Sequence, residues 1–156
     1  MIEVFNKKWV IEVVNSTKNK IIFDTNSLSV KIDDLEVNHP GEFEKAGILL
    51  EVKEYANILF YSFTIDSKHL VIISNDIFEL KEEILSFFWD VDILIITWSQ
   101  ASAKIFENIE ARVVVPYWDW KQTFLTHLGQ HTEMVWSYKV KGDMSIDSTE
   151  FVNLED

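Results

Sequence analysis

Short apolar runs separated by polar punctuation fill the first 65 residues, at 8–14, 20–23, 28–32, 48–52 and 58–65. Between them lie stretches such as Asn15-Ser16-Thr17-Lys18-Asn19 and Asp24-Thr25-Asn26. Runs of this length, bounded by turn-forming residues, predict hairpins and an antiparallel β-meander. From His69 onward the pattern changes: apolar strands at 70–74, 93–97 and 112–115 alternate with helical periodicity at 79–89 and 101–108. In the first of these helices Leu80, Ile84, Leu85, Phe87 and Phe88 form an apolar face opposite Glu79, Lys81, Glu82 and Glu83. Continuous apolar strands separated by helices predict βαβαβ units around a buried parallel sheet. The expected fold class is therefore α/β (α+β), a meander followed by βαβαβ units. A third helix is expected at 121–128, ending at Gly129, then a last strand at 134–140. Residues 1–142 read as one domain. Residues 143–156 carry Asp143, Asp147, Glu150, Glu155 and Asp156 without a base and read as a frayed acidic tail, although Ile146, Phe151, Val152 and Leu154 leave room for an edge strand.

Composition narrows the function classes. The chain has 156 residues, 47% hydrophobic and 13% aromatic, with four Gly and two Pro, which is too apolar for disorder and too interrupted by charge for a membrane span. Net charge is −12 and Arg112 is the sole arginine, so the basic field that nucleic-acid binding depends on is missing. The absence of cysteine excludes disulfides, thiolate nucleophiles and Cys-based zinc sites. The first eight residues, Met1 through Lys8, lack a signal-peptide pattern, and a cytoplasmic location without membrane association is expected. No Gly-rich phosphate loop or Gly-x-Ser-x-Gly elbow occurs, and Ser99 or Ser102 reads as a helix N-cap.

The segment Asn38-His39-Pro40-Gly41-Glu42-Phe43-Glu44-Lys45-Ala46-Gly47-Ile48 resembles the Pro-Gly-Glu-Tyr-Glu-x-x-Gly signature of small metallo-β-lactamase-fold proteins, the ascorbate-lactonase-like branch. Val71-Ile72-Ile73-Ser74-Asn75-Asp76 stands where that family has an apolar strand ending in Gly-Asp. Asp90-Val91-Asp92-Ile93-Leu94-Ile95-Ile96 is similar to its Val-Asp-Ile-Leu strand, and Val113-Val114-Val115-Pro116-Tyr117-Trp118 to its Val-Ile-Pro-x-His. The resemblance covers residues 38–120. It implies a partial or reduced metallo-β-lactamase-like fold in which Asp76 corresponds to a metal ligand and Pro40, Gly41, Glu42 and Gly47 are structural motif positions. The family's His-x-His-x-Asp-His string is absent, and Trp118 replaces its closing histidine. An indole N–H cannot coordinate zinc. The histidines present are His39, His69, His127 and His131.

Two functions from different classes follow. The first is a catalytically degenerate member acting as a binding or assembly module, with neither metal nor other cofactor. The alternative is a hydrolase of a small lactone, ester or phosphoester with a remodelled metal site around Asp76, His39 and Asp119. A partner chain supplying the missing histidines is a third arrangement. Ligands of parallel sheets bind at the carboxyl ends of the strands, which places Asn75, Asp76, Trp98, Tyr117, Trp118, Asp119 and Trp120 on one rim. The rim tryptophans are either the wall of a ligand pocket or bulky filler of a cleft whose metal was lost. Six Trp and eleven Phe are many for one small domain, so a homodimer or protein partner is expected through Trp136 with Tyr138, or Trp120 with Phe124.

Overall fold

The computed structural model describes residues 2–74, 81–97, 108–117, 134–140 and 149–154. Strands β1 (Glu3–Lys7), β2 (Val10–Val14), β3 (Lys20–Asp24), β4 (Val30–Ile32) and β5 (Leu35–Val37) pair antiparallel in chain order. Burial alternates with the pleat: Ile11 and Val13 of β2 face inward, between half-covered Val10, Glu12 and Val14. A second meander, β6 (Gly41–Lys45), β7 (Ile48–Tyr55), β8 (Ile58–Ile65) and β9 (Lys68–Ile73), is also antiparallel. After helix α1 (Glu82–Phe87), β10 (Ile93–Thr97) and β11 (Val113–Tyr117) extend it in parallel. The remaining strands are short: β12 (Met134–Val135), β13 (Ser137–Lys139), β14 (Glu150–Phe151) and β15 (Asn153–Leu154).

Two large sheets result, in the orders β13-β1-β2-β3-β4-β5 and β14-β11-β10-β9-β8-β7-β6, with β12 and β15 forming a small parallel pair. Four of the hairpins turn on two residues that both have positive φ: Lys8-Trp9 (45° and 59°), Ala46-Gly47 (54° and 80°), Ala56-Asn57 (51° and 63°) and Asp66-Ser67 (47° and 64°). Such turns match the right-handed twist of the strands they join. The main core lies between the sheets, where Ile11, Ile21 and Ile32 pack in one cluster with Phe63, Ile65, Leu70 and Ile72. A second core covers the other face of the seven-stranded sheet and joins Phe60, Val71, Ile73, Leu94 and Ile96 to Ile84, Phe87 and Phe88. Helix α1 has no side-chain N-cap, but Glu82 and Glu83 complement its N-terminal dipole and its Ile84-Phe87-Phe88 spacing presents one apolar face. At six residues it owes its stability to that packing.

The α/β (α+β) expectation with βαβαβ units is corrected. Of the described residues 59% are in strands and 6% in helix, and α1, at six residues, is shorter than the 79–89 expected. The physical reason lies in what covers the apolar strands. Every residue of β10 is buried, but one face is covered by the six-stranded sheet and the other by α1 with nearby loop residues. A fully apolar strand reports burial on both faces without saying whether a sheet or a helix does the burying. The helices expected at 101–108 and 121–128 fall outside the described residues except for Asn108. The frayed reading of the tail gives way at 149–154: β14 pairs with β11, β15 with β12, and Phe151, Val152, Asn153 and Leu154 are buried.

Candidate functional site

The carboxyl ends of β9, β10 and β11 lie side by side, with Ile73 beside Ile96 and Thr97 beside Tyr117. Tyr117 is the rim residue from the sequence reading that is described. Its side chain shares the inter-sheet face with Val113 and Val115 and is 1% exposed. The ring meets Phe23 of β3 edge-on at 5.4 Å, and the hydroxyl donates to the Ile73 carbonyl at 3.4 Å. One aromatic thus reaches from the end of β11 past β10 to β9 and to the opposite sheet. Asn75, Asp76, Trp98, Trp118, Asp119 and Trp120 lie outside the described residues, as do His127 and His131.

His39 sits on the exposed connection from β5 to β6. Its ring packs edge-on against Phe43 at 5.1 Å, and Nδ1 lies 3.3 Å from Asn38 Oδ1. Pro40 is exposed. Gly41 has φ +148°, and a Cβ there would stand 3.3 Å from the Phe43 ring. Glu42 is exposed on β6, and Gly47, φ +80°, donates its N–H to Glu44 Oε1 at 3.2 Å.

A polar constellation that the sequence reading did not single out lies at the opposite, amino end of the parallel strands. The His69 N–H donates to Asp92 Oδ2 at 2.8 Å, and Nδ1 lies 3.1 Å from the Asp90 carbonyl. That carbonyl can only accept, so Nδ1 carries a proton, and Nε2 is hydrogen-bonded with Ser62 Oγ. Arg112 Nη1 bridges Asp90 Oδ1 at 3.1 Å and Asp92 Oδ1 at 2.9 Å. A Ser–His contact invites a nucleophilic reading. Ser62, however, lies in mid-strand with β7 and β9 on either side, so the neighbouring N–H groups belong to ladders and none converge as an oxyanion hole. The constellation ties β8, β9, β10 and β11 together. Its signal was available in the aspartates of Asp90-Val91-Asp92, two apart before an apolar strand, and in the sole arginine.

Among the described residues no group of three or more His, Asp or Glu side chains is placed to hold a metal ion. Those residues do not fit the zinc that a metallo-β-lactamase-like fold implies, and no chemical step is routed through it.

No protein-family model matches the chain, and no curated protein matches it. A solved structure from Thermotoga maritima, described as a candidate Zn-dependent hydrolase of the metallo-β-lactamase superfamily, superposes with a TM-score of 0.77 over 100% of both chains at 11% sequence identity. At that identity the likeness is one of fold, and the chain shares the metallo-β-lactamase fold.

Proposed function

We propose that this chain is a catalytically degenerate metallo-β-lactamase-fold protein that acts as a binding or assembly module. The observation that carries the reading is Tyr117: a 1%-exposed ring, bonded across to Ile73 and packed on Phe23, fills the described part of the strand-end rim. A catalytic zinc site needs about three protein ligands and an open position for water. Loss of the histidine string and replacement of the closing histidine by Trp118 agree with a filled rim. In this reading the tryptophans of the rim are filler, and association uses the exposed apolar surface, where Trp136 is 76% and Met134 57% exposed.

The fold likeness to a candidate Zn-dependent hydrolase favours a second reading, a metal hydrolase remodelled around Asp76, His39 and Asp119. Elemental analysis of protein purified without chelator separates the two. The degenerate module should carry well below one zinc, manganese or iron per chain. Near-unit occupancy that survives dialysis and disappears in Asp76→Ala would establish the hydrolase reading instead.

A further inference from the structure

An open cavity of about 430 Å³ lies on the outer face of β6, β7 and β8, lined among others by Glu42, Glu44, Leu49, Glu51, Ser62 and Thr64. It borders β6, the edge strand of the seven-stranded sheet. The two-residue turn Ala46-Gly47 joins the pair Lys45–Ile48, which is therefore the hydrogen-bonded pair closing the hairpin. Alternation along the ladder then makes Phe43–Leu50 and Gly41–Val52 hydrogen-bonded pairs and leaves Glu42–Glu51 and Glu44–Leu49 non-hydrogen-bonded. The N–H and C=O groups of Glu42 and Glu44 consequently point away from β7, toward the side of β6 on which no described strand pairs. The two residues with outward backbone groups are the same two whose carboxylates line the cavity. Glu42 also stands directly across from Glu51, a like-charge pairing that disfavours the isolated sheet. Of the nearby cations, Lys45 pairs with Asp34, and Lys53 lies over the Phe87 ring and 3.4 Å from Glu51, which leaves Glu42 and Glu44 as the lining carboxylates that face the edge.

We infer that β6 and this cavity form a docking site for an extended basic–apolar–basic segment of a partner protein, added to the sheet as a further strand. Strand addition takes its affinity from main-chain hydrogen bonds and its specificity from alternate side chains. Side chains of the incoming strand two residues apart would lie beside Glu42 and Glu44, and the one between them would fall on the opposite face, beside Phe43 and His39. Acidic side chains on an edge also guard against self-pairing. A second copy brought to β6 through its own β6 would set glutamate against glutamate, so charge selects an opposite partner over a homotypic one. This inference rests on the reading of the chain as a binding module and names the chemistry of what it binds.

The test is fluorescence anisotropy at physiological salt with a labelled hexapeptide, Lys-Val-Lys-Thr-Lys-Thr. A net charge of −12 attracts any cation, so the controls must separate docking from general attraction. The hexapeptide should bind, and Glu42→Gln with Glu44→Gln should weaken it about tenfold, the expected loss for two exposed charge pairs acting together. Removing three charges elsewhere, by Glu54→Gln, Glu82→Gln and Glu110→Gln, should change affinity by less than about twofold. On the unmodified protein, a hexapeptide N-methylated at alternate residues should lose binding, because it cannot complete the ladder. No binding, equal binding of the N-methylated peptide, or an equal loss in the remote triple variant would each overturn the inference. The metal measurement is independent: a chain with stoichiometric zinc that still captured the peptide through β6 would sink the degenerate-site reading alone.

Discussion

Nη1 of Arg112 lies 2.9 Å from Oδ1 of Asp92, and the other oxygen of that carboxylate accepts the backbone N–H of His69. Both side chains are largely shielded, at 22% and 17% exposure, so removing the cation leaves a half-buried carboxylate with one partner gone. Arg112→Ala should lower unfolding free energy by about 2–3 kcal/mol, and Arg112→Lys should recover part of that, since both contacts are made by one nitrogen, Nη1, whose place a single ammonium can take. Urea denaturation reads both; an unchanged midpoint in Arg112→Ala would mean that the bridge is an idle surface pair.

Tyr117 separates ring from hydroxyl. Tyr117→Phe keeps the contact with Phe23 and removes a long hydrogen bond, at a cost of about 0.5–1.5 kcal/mol. Tyr117→Ala empties the junction between the sheets and should cost about 3–5 kcal/mol. Comparable thermal midpoints for the two variants would place the stabilisation in the hydroxyl and weaken the view of Tyr117 as filler.

Asp33 gives an acid-dependent signal. A side-chain hydrogen bond from Asn19 chiefly holds its carboxyl below the usual value, against a smaller opposing effect of burial, with help from the Lys20 N–H and the charges of Lys45 and Lys20. A folded-state value below the unfolded one means stability that is present above the unfolded carboxylate range and lost as pH falls through the folded value. Stability should therefore decline below about pH 4. Asp33→Asn should flatten that part of the pH profile, and an unaltered profile would place the acid sensitivity in other carboxylates.

The turn at Ala56-Asn57 holds alanine at φ 51°. Left-handed geometry costs a side-chain-bearing residue about 1–2 kcal/mol, while glycine loses about 0.5–1 kcal/mol more entropy on folding. Ala56→Gly should accordingly stabilise the fold by about 0.5–1 kcal/mol. A lower thermal midpoint would show that the turn stores no strain.

Self-association is the expectation with the most exposed candidates. Light scattering at micromolar concentration should report about twice the 18.3 kDa chain mass, and Trp136→Ser should return the protein to monomer. A monomeric parent protein would leave Trp136 and Trp89, 76% and 78% exposed, for a different partner.

Individual strands were legible where a single apolar period carried them. The expected 58–65 and 93–97 coincide with β8 and β10. Strand β1 was missed because Asn6, Lys7 and Lys8 blur its alternation, and its turn, Lys8-Trp9, contains neither glycine nor asparagine. The layer architecture was illegible for a different reason: burial of β10 on both faces is written in its sequence, but the identity of the covering layer is not. The expected last strand breaks at Trp136, so Met134–Val135 and Ser137–Lys139 join different sheets. At the site, Tyr117 was named for the rim, yet its inward aim depends on which strand face meets the six-stranded sheet. The Arg112–Asp92 contact required β10 and β11 to be paired in register, which spacing along the chain does not encode.

The pairing of β1 with β13, Glu3 opposite Lys139, bears on how the chain is made. During synthesis β1 emerges among the first strands and can zip to β2 at once, while the strand for its other side is translated more than a hundred residues later. Until then one flank of the six-stranded sheet stands unclosed on the ribosome, exposed to other nascent chains. Long-range closure of this kind slows folding, so completion of the sheet waits on translation of β13, and ribosome stalling before residue 137 should leave a chain that chaperones hold.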